Sequence, residues 1–219
     1  MLLHAATGHG GMWEHQLSAF TAAGYRCIAF DRSADGYACD QVEEVAAQLK
    51  LERFHLVGTA AGAIIAVDYA LSHAARLRSL VLANTIVGVQ DPDYLEMSAR
   101  LRPSPQFDRM PADFRELGPS YRAANADGTK RWNELAHAKA RIAYTVKNQI
   151  TWAALETIQL PTLLLTGDAD LYMPPSVLRL FAKRLPRCEA VVVPDCGHSA
   201  YWEQPLLFNR AVLDFLKKY

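Results

Sequence analysis

Three short segments carry the residues that could do chemistry. The first is Gly58-Thr59-Ala60-Ala61-Gly62, two glycines flanking three small residues between a strand-like run and a helix-like run. It has the form of a G-x-S-x-G nucleophile elbow, with alanine in place of serine. The second is Gly167-Asp168-Ala169-Asp170, an apolar run that ends in acids. The third is Gly197-His198, on a short loop after Ala190–Val193. A carboxylate that orients an imidazole makes a general base, and an oxygen at position 60 would be its nucleophile. Ala60 has no such oxygen. Of the two acids, Asp170 is the candidate for the orienting role and Asp168 its rival. Thr59 is expected to turn away from the site.

These segments need strands to hold them. Apolar runs read as strands at Met1–Leu3, Arg26–Phe30, Phe54–Val57, Leu77–Ala83, Pro161–Thr166 and Ala190–Val193. Helix-like runs lie between them at Trp13–Ala23, Asp40–Lys50 and Ala61–His73, and later at Pro174–Arg184 and Pro205–Lys218. Asp40 with Glu43 reads as a capping box. Alternation of this kind predicts an α/β fold, a mainly parallel sheet of about six strands with helices on both faces. Ligands of such folds sit beyond the carboxyl ends of the strands, where the three segments fall. Between about Ile86 and Ile158 no strand is visible, prolines cluster, and Arg131–Val146 is the clearest helix. The expected organisation is core 1–85, a helical lid insertion 86–158, and core 159–219.

The order elbow, acid, histidine matches that of α/β-hydrolases and differs from the chymotrypsin and subtilisin orders. The chain resembles the α/β-hydrolase superfamily over nearly its whole length. Leu3-His4-Ala5-Ala6, followed by Gly10, Gly11 and Trp13, resembles the opening His-Gly loop. Gly167-x-x-Asp170 resembles the acid turn. Gly197-His198 with Glu203-Gln204-Pro205 resembles the histidine segment. The nearest style is that of small esterases, lactonases and carbon–carbon bond hydrolases.

The resemblance implies a Ser-His-Asp site with position 60 as nucleophile, His198 as base and then acid, and Asp170 orienting His198. It implies an oxyanion hole made by the backbone N–H groups of Ala6 and Ala61. Three departures stand out. Position 60 is alanine. The glycine usual after the opening histidine is Ala5. The family's first hairpin is missing before Met1, and the Asp31–Asp40 connection is short. Two accounts of Ala60 are open: a serine replaced to trap a substrate, or natural divergence. Divergence leaves a non-catalytic small-molecule binding protein, or a nucleophile-free lyase or oxygenase that uses the His198–Asp170 dyad.

Composition narrows the remaining classes. The 219 residues fit one domain with an insertion, 51 % apolar and 21 % charged. Lys plus Arg and Asp plus Glu each total 23, so no basic footprint suggests a nucleic-acid partner. No run is long and apolar enough for a membrane span. With no export-like start and no C-x-x-C pair among four cysteines, a cytoplasmic location is expected. No cofactor or metal is implied, since there is no H-E-x-x-H or close ligand spacing. His4 reads as structural. The lid's Tyr94, Tyr121, Trp132, Tyr144 and Trp152 read mostly as packing, with a few lining a pocket for an apolar or aromatic substrate. The sheet edge left by the missing hairpin raises the hypothesis of a homodimer.

Overall fold

The computed structural model describes residues 1–219. Its sheet has five parallel strands in sequence order: β1 (Leu2–Leu3), β2 (Phe54–Thr59), β3 (Leu77–Ala83), β4 (Thr162–Gly167) and β5 (Cys188–Val193). The helices of the first half are α1 (Glu14–Ala22), α2 (Ala38–Gln48) and α3 (Ala61–His73). Between β3 and β4 lie α4 (Pro92–Arg100), α5 (Ala112–Glu116), α6 (Pro119–Ala124), α7 (Ala126–His137) and α8 (Trp152–Glu156). After β4 come α9 (Pro175–Ala182), α10 (Ala200–Glu203) and α11 (Pro205–Leu216).

Alternation along the strands splits the core in two. Leu56, Leu80, Leu82 and Leu164 face a layer with residues of α2, α3 and α9. Val57, Val81, Leu163 and Leu165 face the opposite layer, with Trp13, Trp132 and Phe208. Both faces of the sheet are therefore buried, as parallel sheets require. The helix α3 is buried along most of its length because it lies across the middle of the sheet. All four cysteines are unpaired. No helix is long and apolar enough to cross a membrane.

Three sequence expectations need correction. The run Arg26–Phe30 is not a sixth strand but makes one parallel bridge, Ala29 to Leu2. Its partner β1 has two residues, so the ladder stops there. The helix α2 starts two residues before Asp40, with Tyr37 as an N-cap that makes no side-chain bond. Asp40 pairs with Lys147 and Glu43 accepts from the Tyr69 hydroxyl, so no capping box forms. The helix expected over 131–146 ends at His137. Beyond it the backbone is committed to tertiary partners: Thr145 O accepts from Ala38 N, and buried Asp68 accepts from Lys147 N and Asn148 N.

Candidate active site

The turn from β2 into α3 is held by close backbone approach. A Cβ on Gly58 would meet the Gly62 carbonyl carbon at 2.5 Å, and one on Gly62 would meet Leu3 O at 2.2 Å. Only glycine fits at either place. Between them Ala60 sits at φ +49°, ψ −116°, a strained conformation for an L residue. Ala60 N is fixed by Ala83 O at 2.9 Å. Thr59 is buried and does not line the cleft, whereas Ala60 does.

Asp170 follows β4 and is 3 % exposed. Its oxygens lie 2.9 and 2.8 Å from His198 Nδ1. Oδ1 also accepts from the N–H groups of Tyr172 and Met173. Oδ2 accepts from Asn84 Nδ2 and lies 3.0 Å from Thr166 Oγ1. Burial alone would raise the Asp170 pKa, but His198 and these donors hold it down to about 2. For His198, 6 % exposed, burial opposes the charged ring. The carboxylates of Asp170 and Glu116 outweigh that and raise its pKa. Asp168 is exposed and accepts from Cys196 N, so it plays no part in this pair. Cys196 is a buried thiol with its pKa raised by burial, the opposite of a reactive one.

One cleft of about 160 Å³ brings together Ala5, Ala6, Ala60, Ala61 and His198. The predicted site residues of the opening loop, the elbow and the histidine loop thus share a cavity, with Asp170 directly behind the imidazole. A larger groove lined by Leu101, Phe114 and Leu171 lies on the far side of the acid turn and does not include His198.

The opening loop is held from below by Arg32. This buried side chain donates through Nη2 to His4 O at 3.1 Å and Ala5 O at 2.9 Å. His4 is also buried, with Nδ1 2.6 Å from Ala5 O. Burial, and next the Arg32 charge, push its pKa down to about 4, which keeps the ring neutral.

Sequence reasoning missed three members of the site, Glu116, Tyr172 and Asn84, and placed Glu203 in the histidine segment without a contact for it. Glu116 ends α5 with its carboxyl in the cleft wall. Its Oε2 is 3.9 Å from His198 Nε2. Tyr172 packs against the His198 ring at 4.4 Å between centroids with the planes tilted by 42°, and is itself held by Arg115, whose Nη1 donates to its hydroxyl. Asn84 follows β3 at φ +48° and supports Asp170. Glu203 accepts from Gly197 N and Ser199 N on the histidine loop and from Gly118 N near α5. A hydrophilic residue just after a strand could have flagged Asn84. Nothing local marks Glu116 among the charges of its segment.

Comparison with known proteins bears on the fold and the family. Residues 1–211 match the profile of the Alpha/beta hydrolase family. A relative in Pseudomonas putida, 2-hydroxy-6-oxononadienedioate/2-hydroxy-6-oxononatrienedioate hydrolase 2, is 27 % identical over 249 residues, covering 99 % of this chain and 87 % of the relative. The thermophilic esterase of Thermogutta terrifontis superposes with a TM-score of 0.83 at 23 % identity, covering 99 % of this chain and 88 % of that one. The esterase EaEST of Exiguobacterium antarcticum gives 0.80 at 21 %, covering 99 % and 90 %.

Proposed function

Because the chain belongs to the alpha/beta hydrolase family, we propose that its cleft takes a small, mostly apolar ester, lactone or cleavable carbon–carbon compound, with the reacting carbonyl over Ala60. The observation that carries this reading is the buried Asp170–His198 pair opening onto the elbow. In a serine form, residue 60 would attack the carbonyl and His198 would take its proton. Asp170 would fix the ring tautomer through Nδ1. The N–H groups of Ala6 and Ala61 would hold the oxyanion. Being main-chain donors, they are unaffected by the small side chains at those positions. His198 would then protonate the leaving group, and water would release the acyl group by the same route.

With Ala60 no acyl-enzyme can form. Loss of a triad nucleophile costs about six orders of magnitude, leaving roughly 10³–10⁴ over water from binding and the oxyanion hole. The chain as it stands therefore binds such a substrate and turns it over slowly. A second reading is nucleophile-free chemistry by the His198–Asp170 dyad, as in a lyase or oxygenase, and Glu116 beside Nε2 favours it. A non-catalytic binding role would use the same cleft. Tight binding without turnover would select it, whereas a His198-dependent elimination or oxygenation by the Ala60 chain would select the lyase or oxygenase.

The deciding experiment compares this chain with its Ala60→Ser variant on p-nitrophenyl esters and lactones, with mass spectrometry after fluorophosphonate treatment. The serine variant is expected to label at position 60 and to gain several orders of magnitude in rate. An unlabelled, inactive variant would sink the acyl-transfer reading. The same material tests two expectations that follow from sequence. A cytoplasmic protein should keep its thiols reduced, and a homodimer across the open side of residues 26–30 should give twice the monomer mass in solution.

A further inference from the structure

Glu116 is buried, 8 % exposed, yet its carboxylate has no hydrogen-bond partner within the protein. What exposure it keeps is to the cleft that holds Ala60 and His198. Its Oε2 faces the ring nitrogen opposite the one bound by Asp170. The gap of 3.9 Å is too long for a hydrogen bond and suits one oxygen atom bonded to both. At about 2.8 Å from each group, that oxygen subtends an angle of about 90°, close enough to the bond angle of water for its two O–H groups to point one at each. A serine hydroxyl at position 60 would compete for Nε2, and the alanine methyl leaves that nitrogen unclaimed.

We propose that Glu116 is a further catalytic residue, which with His198 holds one water between them, and that this water takes the place of the missing side chain at position 60 in attacking an ester or lactone carbonyl. The proposal rests on the hydrolase reading above. Glu116 accepts one O–H of the water and neutral His198 Nε2 accepts the other. As the water oxygen bonds to the carbonyl carbon, its proton passes to Nε2 and the carbonyl π pair moves onto oxygen. The imidazolium so formed lies between two carboxylates, Asp170 and Glu116, which stabilise it. The N–H groups of Ala6 and Ala61 receive the oxyanion. Collapse breaks the bond to the leaving oxygen, which takes the proton from Nε2. The sum is ester plus water giving acid plus alcohol, with no acyl-enzyme and no redox partner.

The test uses the unaltered protein and p-nitrophenyl acetate, corrected for the buffer rate. Glu116→Gln keeps the shape and removes the charge. It is expected to lose about 100-fold in kcat with KM within about threefold. His198→Ala should lose at least as much, and the double variant no more than His198→Ala alone, because the two groups act on one water. Mass spectra of quenched reactions should show no acylated protein. If Glu116→Gln does not fold, Glu116→Asp, which withdraws the carboxylate by about 1.5 Å, is expected to lose at least tenfold in kcat. A Glu116→Gln rate within twofold of the parent overturns the proposal, as does an acyl adduct or no turnover above background. If Ala60→Ser labels and gains rate while Glu116→Gln changes nothing, the hydrolase reading stands and this proposal falls. If Ala60→Ser is also inert, both fall.

Discussion

Arg32 Nη2 donates to the carbonyl oxygen of Ala5 at 2.9 Å, and that carbonyl belongs to the same peptide plane as the Ala6 N–H. In a planar trans peptide the C=O and N–H bonds point in opposite directions. Holding Ala5 O from below therefore aims the Ala6 N–H away from Arg32. The charge also polarises the peptide, which makes its N–H a better donor. In the Ala60→Ser background, Arg32→Met should lower kcat by about 10- to 100-fold with little change in KM, less than deleting an oxyanion donor outright. Equal effects on KM and kcat for Arg32→Met and a distant core variant would show that Arg32 only packs.

Ala60 keeps the backbone of a nucleophile-bearing turn although its side chain cannot attack. At φ +49° a Cβ is strained, and glycine is not. Ala60→Gly should stabilise the fold by about 0.5–1 kcal/mol, after the extra freedom that glycine gives the unfolded chain. Ala60→Ser should leave stability within about 0.5 kcal/mol, since it keeps the Cβ. Thermal melts of the three proteins decide this. A glycine variant less stable than the parent would mean that the turn carries no strain.

The elbow, the acid and the histidine were legible in the sequence because each follows an apolar run and each is a local pattern. The parallel sheet was legible for the same reason. What failed were features decided at long range. Whether residues 26–30 make a strand depends on a partner with enough residues, and β1 has two. The chain beyond α7 is tied to partners distant in sequence, Thr145 O to Ala38 N and residues 147–148 to Asp68, and no local pattern announces them. Glu116 was hidden because a charged residue at the end of a short helix is ordinarily solvated. Only the tertiary fold turns it toward His198.

His4 should make stability depend on pH. Its folded pKa is pushed from 6.5 to about 4, by burial first and by Arg32 next. Between those values the unfolded chain binds more protons than the folded one. The stability present above 6.5 is therefore lost as pH falls toward 4. His4→Gln does not titrate there. The advantage of the parent over this variant should shrink by about 2–3 kcal/mol as pH drops through that window. Urea titrations at several pH values measure it, and a pH-independent difference would mean that His4 is solvated.

Glu203 joins two loops that carry site residues. Its carboxylate accepts from Gly118 N at 2.7 Å, two residues past Glu116, and from Gly197 N at 3.0 Å, one residue before His198. Glu203→Ala leaves three buried N–H groups without acceptors and should cost about 2–4 kcal/mol. Burial drives its pKa up to about 7 even against those three donors. The folded chain then binds more protons than the unfolded one between about 4.5 and 7, so this group's contribution to stability declines as pH rises through that range. The cost of Glu203→Ala should consequently be larger near pH 4.5 than near pH 8. A cost that grows with pH would mean that the three N–H groups win over burial, and that Glu203 holds the two loops as a full anion.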